Sequence, residues 1–422
     1  MGFLDIARIK AEWRPQTLAD LDAWMDSRYS GSPVSSGIAV NEDRAMRFTA
    51  VGACVRVICA AKSCAPLEVK RRRKDGRGSD IAYDHPTYEC LHYKPNDEMP
   101  SYNYIESQQM ALLLSGNNYA FPGFDSRGRV NKLTPVLWTQ MRPVRNADTR
   151  QIEYEYLDRG KKVSLPRDMV FHVPGMGYTG LQGLSVIRYA AECIGLGLAQ
   201  ERFSGKFFSN GMAIGGLLTT ELGNKENRDD NRKQIEEKFS GLGNAHKVLV
   251  LQAGADYKPV SAAMPLSDAQ FLETRKYQFA EICGWFGVPL YMVGQMDRAT
   301  DNNAEKTGLE FYKNCMISWF RRDEQWINIR LFTAADRAAG YFAEYNPLGL
   351  LRGDGKAQAD MLHAWRQDGF ITENEGRAYL GMNPSANPMA DEELVNGNLI
   401  PLKLAGQVKP ANGGAGGDPK NA

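Results

Sequence analysis

Apolar residues recur at helical spacing in several long runs of this chain. Phe279, Ile282, Cys283 and Phe286 fall at i, i+3, i+4 and i+7, one buried face of a helix over 267–286. Gly287 and Val288-Pro289 then stop it, because glycine closes helices and proline cannot continue them. A longer helix is predicted over 303–332, striped by Leu309, Tyr312, Met316, Trp319, Phe320, Ile327 and Leu331. At ~1.5 Å per residue it runs for about 45 Å. Between the two lies GQMDRATDNNAEK, a polar stretch with almost nothing to bury. Two strong helices joined by such a loop is the most distinctive local pattern in the sequence.

The remaining elements obey the same logic. MGFLDIARIKAEW at the N-terminus has the pattern of a short amphipathic helix, and SRYSGSPVSSGIAVNE at 27–42 reads as a loop separating it from the body. A helix is predicted over 43–63, then the strand PLEVKRRR, with KDGRGSD as a hairpin turn or loop, and a helix over 101–116 that ends at Gly116. From Asn118 to His172, short alternating runs and Gly-containing turns predict antiparallel β structure. Helix returns over 184–209, with Ile187, Ala191, Ile194, Leu198 and Arg202 along one side. A compact α/β insert comes next, built from strands GGLLTT, HKVLVLQ and ADYKPVSA around the charged helix NKENRDDNRKQIEEKFSGLG. Thr372 and Glu375 form a capping box for a helix stopped by Gly381 and Pro384, and 405–422 has the composition of a disordered tail. The fold class is α+β.

Composition narrows the function. With 43% apolar and 24% charged residues in 422, the chain suits ordinary globular domains. Its formal net charge of +1 gives no global basic field to draw it onto nucleic acid. The 7 cysteines are an odd number without a Cys-x-x-Cys pair, which fits buried thiols in a reducing compartment. The most apolar stretch, AVGACVRVICAAKSCAPLEV, is broken by Arg56 and Lys62, so no membrane partner is expected. Nothing in the N-terminal segment resembles an export signal, which predicts a cytosolic product.

Catalytic signatures fail on inspection. Gly-x-Ser-x-Gly, His-Glu-x-x-His, the phosphate loop and an EF-hand loop are missing, and GLGLAQ and GDGKAQ each lack the last glycine of a dinucleotide fingerprint. His85, Cys90 and His92 lie close together in sequence but lack a fourth ligand, and His85-Pro86 reads as a turn that opens a helix. Asp229-Asp230 lie in a charge-rich helix and read as a solvated face, and the carboxylates of DNNAE have no His or basic partner at a spacing suited to acid–base work. The expectation is a non-enzyme with no catalytic residue, metal or cofactor.

Several blocks together resemble the portal proteins of tailed bacteriophages, of the HK97-like family. They are DHPTYECLHYKPNDEMPSYNYIESQQMALLLSGNNYAF at 84–121, LPRDMVFHVPGMGYTGLQGLSVIRYA at 165–190 and FFSNGMAIGGLLTT at 207–220. SDAQFLETRKYQFAEICGWFGVPLYMVG at 267–294, DNNAEKTGLEFYKNCMISWFRRDEQWIN at 301–328 and FAEYNPLGLLRGDGKAQADMLHAWRQDGFITENEGRAYLGMNP at 342–384 come after them in family order. Trp285 and Leu290 depart from the family's common helix-end pattern.

The resemblance implies a portal fold with mainly helical stem, wing and crown, an antiparallel β region in the wing and a small α/β clip. Its implied boundaries are an N-terminal arm at 1–42, partly disordered, wing at 43–183, first stem helix at 184–210 and clip at 211–262. The second stem helix lies at 263–292, then a tunnel loop at 293–304, a long wing helix at 305–345, a crown at 346–404 and the tail. Such proteins form a ring, typically of twelve copies, at one capsid vertex, and double-stranded DNA passes through the channel without sequence specificity. Implied partners are the ring's own subunits, DNA, the large terminase subunit, the head–tail adaptor and the major capsid protein or scaffold. The implied location is the capsid portal vertex, with assembly in the host cytoplasm.

The tunnel-loop residues are then Gln295, Met296, Asp297, Arg298, Thr300, Asp301, Asn302 and Asn303, which mix both charge signs with neutral amides. A lysine-rich loop would grip phosphates and stall sliding. Clip residues expected to meet the motor or adaptor are Lys225, Arg228, Arg232, Lys233, Glu236 and Glu237. Two competing readings are a non-viral oligomeric scaffold and a cryptic nuclease using scattered carboxylates and His172.

Overall fold

The computed structural model describes residues 34–75, 78–146, 148–209, 216–219, 256–259, 268–295, 304–347, 355–380 and 382–392. The chain divides into two units, Met1–Leu350 and Leu351–Ala422.

In the first unit, α1 (Glu42–Arg47) is capped by the Asn41 side chain, which accepts the Arg44 N–H. Phe48 is extended and separates α1 from α2 (Thr49–Ser63), so the helix predicted over 43–63 is two helices. Then come β1 (Leu67–Arg72), β2 (Ser79–Ile81), α3 (Pro86–His92) and α4 (Ser101–Ser115). After them are the strands β3 (Asn117–Phe124), β4 (Val130–Val136), β5 (Met141–Arg145), β6 (Ile152–Asp158), β7 (Lys161–Pro166) and β8 (Phe171–Pro174). Next are α5 (Val186–Tyr189), α6 (Ala191–Ser209), β9 (Gly216–Thr219), β10 (Asp256–Pro259) and α7 (Asp268–Phe286). α8 (Ala304–Phe311) passes through one π-helical turn at Tyr312–Met316 into α9 (Ile317–Arg330), and α10 (Ala334–Ala338) and β11 (Tyr341–Tyr345) close the unit.

All strand pairings among the described residues are antiparallel, in agreement with the alternation of the sequence. β1 lies between β11 and β2, joining residue 67 to residue 345 across the chain. β3 lies between β4 and β8, while β5, β6 and β7 form a meander. The main core collects Val51, Val55 and Ile58 of α2, Leu112 and Leu113 of α4, Ile282 of α7, and Met316 and Phe320 of the long helix. A smaller core under the meander holds Tyr119, Val136, Met141, Tyr154 and Val170.

α2 buries one full face, and that face includes Lys62, whose side chain is fully enclosed. Its ammonium contacts Asp323 of α9 at 2.5 Å and donates to Gln109 of α4 at 2.7 Å. Asp323 also accepts from the Tyr345 hydroxyl at 3.1 Å. In sequence, Lys62 is only an interruption of an apolar run. A second buried node has Arg129 on Asp336 at 3.0 Å, with His85 Nε2 at 3.5 Å from the same oxygen. Burial opposes it, but the Thr333 hydroxyl, Arg129 and His85 hold the Asp336 carboxyl below its ordinary value. His85 is the N-cap of α3 and its Nδ1 accepts the Thr87 N–H, which is the turn role expected of it.

Glycines mark the closest approaches. Gly116 ends α4 at φ +82°, and a Cβ there would lie 2.4 Å from the Leu184 carbonyl carbon. Gly195 and Gly197, the glycines of GLGLAQ, let α6 pack against Val34 and Phe48, which explains them without a nucleotide. The helix predicted over 184–209 is interrupted at Ala190 (φ −88°, ψ 12°), leaving a short α5 before α6.

The second unit contains α11 (Gly355–Gln367) and α12 (Glu373–Tyr379). Thr372 and Glu375 form the expected capping box in both directions.

Substitutions at these positions should differ in cost. Gly287 also has φ +68°, but a methyl group placed there would find its nearest neighbour 3.9 Å away, so Gly287→Ala costs about 1–2 kcal/mol through backbone strain alone. Gly116→Ala adds a backbone clash and lowers stability by more than that, in urea titrations of both variants. Lys62→Met, which leaves Asp323 enclosed without its cation, costs about 3–5 kcal/mol in the same assay.

Candidate functional site

The polar loop after α7 has a well-built root. At the C-terminus of α7, the Val288 N–H donates to Cys283 O at 3.0 Å and the Gly287 N–H to Gly284 O at 3.2 Å. These are the two bonds of a Schellman cap, with Gly287 in the left-handed conformation it requires. Pro289 prevents the helix from resuming, and Leu290–Val293 make one 3-10 turn. That turn ends the same way: Gln295 N–H donates to Leu290 O at 3.1 Å and Gly294 N–H to Tyr291 O at 3.2 Å, with Gly294 at φ +83°. Two successive helix stops therefore precede the loop.

The returning helix is fastened to the departing one. The Cys315 thiol, in the π-helical turn, donates to Phe286 O at 3.5 Å. Cys54 of α2 lies 3.6 Å from Cys283 of α7, sulfur to sulfur. The hydrogen bond to Cys283, together with burial, pushes the Cys54 thiol up, and burial pushes the Cys315 thiol up to about 12. These are closed, apolar thiols, as expected from the sequence, and all 7 cysteines are free. Phe286, Val288 and Phe311 are buried beside them, while Met292 and Val293 pack on the same core. Burying side chains of this size contributes roughly 1.5–3 kcal/mol each, enough to hold both ends of the loop.

Of the expected loop residues, Gln295 is exposed just past the second stop. Met296, Asp297, Arg298, Thr300, Asp301, Asn302 and Asn303 lie outside the described residues, and α8 has begun by Ala304. Lys225, Arg228, Arg232, Lys233, Glu236 and Glu237 of the expected α/β insert also lie outside them, as does its charged helix. What is described of that insert is β9 paired with β10, Thr219 opposite Asp256 and Gly216 opposite Pro259.

The nuclease reading depends on His172, and its surroundings give it a structural task. His172 is buried in β8 and stacks on Tyr119 at 4.5 Å. Its Nε2 is 3.0 Å from Asn117 Oδ1 and its Nδ1 is 3.2 Å from the Tyr154 hydroxyl. Asn117 Oδ1 can only accept, so Nε2 carries the proton and the Tyr154 hydroxyl donates to Nδ1. Burial first, then Arg167 and Arg330, push the imidazole down to about 3. Asn117 Oδ1 also accepts the Gly183 N–H at 2.8 Å, so the ring fixes β8, β6 and the 176–185 segment to the start of β3. Among the described residues no group of three or more His, Cys, Asp or Glu is placed to hold a metal ion, and no helix is long and apolar enough to cross a membrane.

Residues 49–381 match the family model described as phage portal protein. The chain belongs to the phage portal protein family. It is 29% identical over 383 residues to the portal protein of Enterobacteria phage HK97, covering 89% of this chain and 88% of that one. It is 30% identical over 385 residues to a probable portal protein of Streptomyces phage phiC31, covering 87% and 82%. The fold is shared with a chain of a native gene transfer agent virion (TM-score 0.55, 22% identity, 82% of this chain and 94% of that chain). It is also shared with an HK97 family portal protein from Corynebacterium diphtheriae (TM-score 0.53, 14% identity, 73% and 95%). The portal match takes in both helices of the loop root, the loop between them and the His172 network.

The His172 imidazole titrates near 6.5 when unfolded and at about 3 when folded. Its contribution is therefore complete above pH 6.5 and is lost as pH falls toward 3, by up to about 1.4 kcal/mol per pH unit. His172→Gln removes that share of the slope in denaturation curves measured between pH 7 and pH 4.

Proposed function

We propose that this chain is the subunit of a ring-shaped portal, a head–tail connector at one capsid vertex through which double-stranded DNA is packaged and ejected. The observation that carries this reading is the portal-family match from residue 49 to residue 381. A ring is supported by the fold likeness to a chain from the neck of a native gene transfer agent particle, computed with twelvefold symmetry (TM-score 0.54, 21% identity). The protein acts as a structural part and not as a catalyst. Its partners are further copies of itself, DNA, the terminase motor, the head–tail adaptor and the capsid shell or scaffold.

In this reading 184–210, which contains α5 and α6, and 263–292, which contains α7, are the two stem helices, and 211–262 is the clip that meets motor and adaptor. Residues 43–183 with the α8–α9 helix are the wing, 346–404 the crown and 293–304 the tunnel loop. The loop root supports the last assignment. A segment that touches moving DNA must yield while its ends stay fixed, and the two Schellman stops and the Cys315–Phe286 bond fix both ends. The loop's mixed charge keeps DNA from adhering, whereas a lysine-rich loop would gain phosphate contacts.

Negative-stain images and mass photometry of the purified protein should show annular particles with an open centre; monomers and dimers alone over a wide concentration range would refute the ring. Changing Asp297, Thr300, Asp301 and Asn302 together to Lys should shorten the packaged DNA in an in vitro packaging assay, most strongly at low salt. Asp297→Ala alone should package nearly normally. Full packaging by the four-lysine variant at low salt would remove the loop from the channel.

A further inference from the structure

A groove of about 470 Å³ lies between α6 and α7. Its walls include Tyr189, Cys193, Leu196, Glu281 and Trp285. Leu196 is 48% and Trp285 49% exposed, so the groove leaves apolar surface of both helices uncovered. The helices are pinned at its floor by Gln278 Nε2, which donates to Cys193 O at 2.8 Å. Its rim is acidic, with Glu192 and Glu281.

The chain itself arrives at this groove. Val34 lies so close to α6 that a Cβ on Gly195 would come within 2.3 Å of its Cγ2. Ser35 donates to Glu192 through its N–H at 3.1 Å and its hydroxyl at 2.6 Å, and Ser35 and Ser36 form part of the groove wall. Val34, Ser35 and Ser36, the first described residues, thus stand at the groove, and residues 1–33 lie outside the described residues. At 100° per residue, Phe3, Ile6, Ile9 and Trp13 share one helical sector, with Lys10 inside it next to Phe3 and Arg14 just past Phe3. That segment is apolar on one side and cationic at its edge, the complement of the groove. The next stretch, 17–28, carries Asp20, Asp22 and Asp26 and would be repelled by the acidic rim. Residues 14–33 leave ample chain for the turn back, at up to ~3.3 Å per residue.

We propose that residues 3–14 dock as an amphipathic helix into the α6–α7 groove of their own chain, covering Leu196 and Trp285 and placing Lys10 and Arg14 against Glu192 and Glu281. The arm thereby shields the outer face of α7, whose opposite face anchors the loop root.

Cys193 in the groove wall is a built-in reporter. Its alkylation by N-ethylmaleimide is tracked by peptide mass spectrometry in the assembled full-length protein and in a chain beginning at Ser32. Removal of the arm should speed alkylation about tenfold or more, as expected when a protecting segment is lost. Full-length Lys10→Glu/Arg14→Glu should also speed it, and this second variant keeps the test valid if the shortened chain does not fold. A bis-maleimide applied to Ile6→Cys/Leu196→Cys should give a link within one chain, without a dimer band on a denaturing gel. Equal alkylation rates in all three proteins would overturn the proposal. So would links found only between chains, or protection lost on dilution but not on truncation, since a second copy would then fill the groove.

Discussion

The enclosed ammonium of Lys62 is the constraint on which the rest of the first unit depends. A buried cation needs an anion and further acceptors, or the cost of taking it from water exceeds what folding supplies. Here the anion comes from α9 (Asp323) and the amide from α4 (Gln109), with Tyr345 of β11 completing Asp323. The nearest of those partners in sequence, Gln109, is 47 positions from Lys62, so one charge fixes four elements at once. β11 is thereby held beside β1, whose sheet joins the two ends of the unit. α2, which carries the lysine, also carries Cys54 against Cys283, and so the same helix positions α7. An apolar residue at 62 would fill the space without selecting among the ways these helices can slide, whereas the ion pair and its hydrogen bonds accept one register.

Much of this architecture is legible in the sequence because it is dictated locally. The Phe279–Phe286 stripe, the Gly287-Val-Pro stop and the Thr372–Glu375 box are written in consecutive residues, and the structure has them where the pattern places them. The antiparallel character of 117–174 comes from alternation and turn glycines in the same way. The illegible features depend on distant partners. Nothing close to Lys62 in sequence distinguishes it from a solvated lysine; only Asp323 and Gln109 make it a core residue. The Asn117–His172–Tyr154 network is hidden for the same reason, since GNNYAF read alone is a turn and His172 read alone is a candidate catalyst. The breaks at Phe48 and Ala190 and the π-helical turn at Tyr312–Met316 are also tertiary effects, imposed on sequences whose apolar period runs straight through them.

The loop site divides along the same line. Its root is made of short-range devices, caps and glycines, and so can be read from the sequence. The Cys315–Phe286 bond that ties its two ends together spans 29 positions and cannot. The π-helical turn has a physical consequence here. One extra residue in the helical ladder rotates the downstream turns relative to the upstream ones, so Cys315 and Met316 turn inward to α7 and α2 while Phe320 and Ile327 still reach the core.

α7 is thus a helix with two distinct loads. Ile282, Cys283 and Phe286 bind it to the core, and its C-terminal cap fixes where the polar loop departs. Glu281 and Trp285, on the other side, are left to whatever fills the α6–α7 groove. Because a packed helix moves as a unit, occupation of the groove bears on the loop root without contact between them. The strength of that linkage is set by how firmly the inner face is held. With Cys54, Cys315 and Val288 all enclosed around the helix end, the inner face is the closely packed side, and it is this face that sets where the polar loop departs.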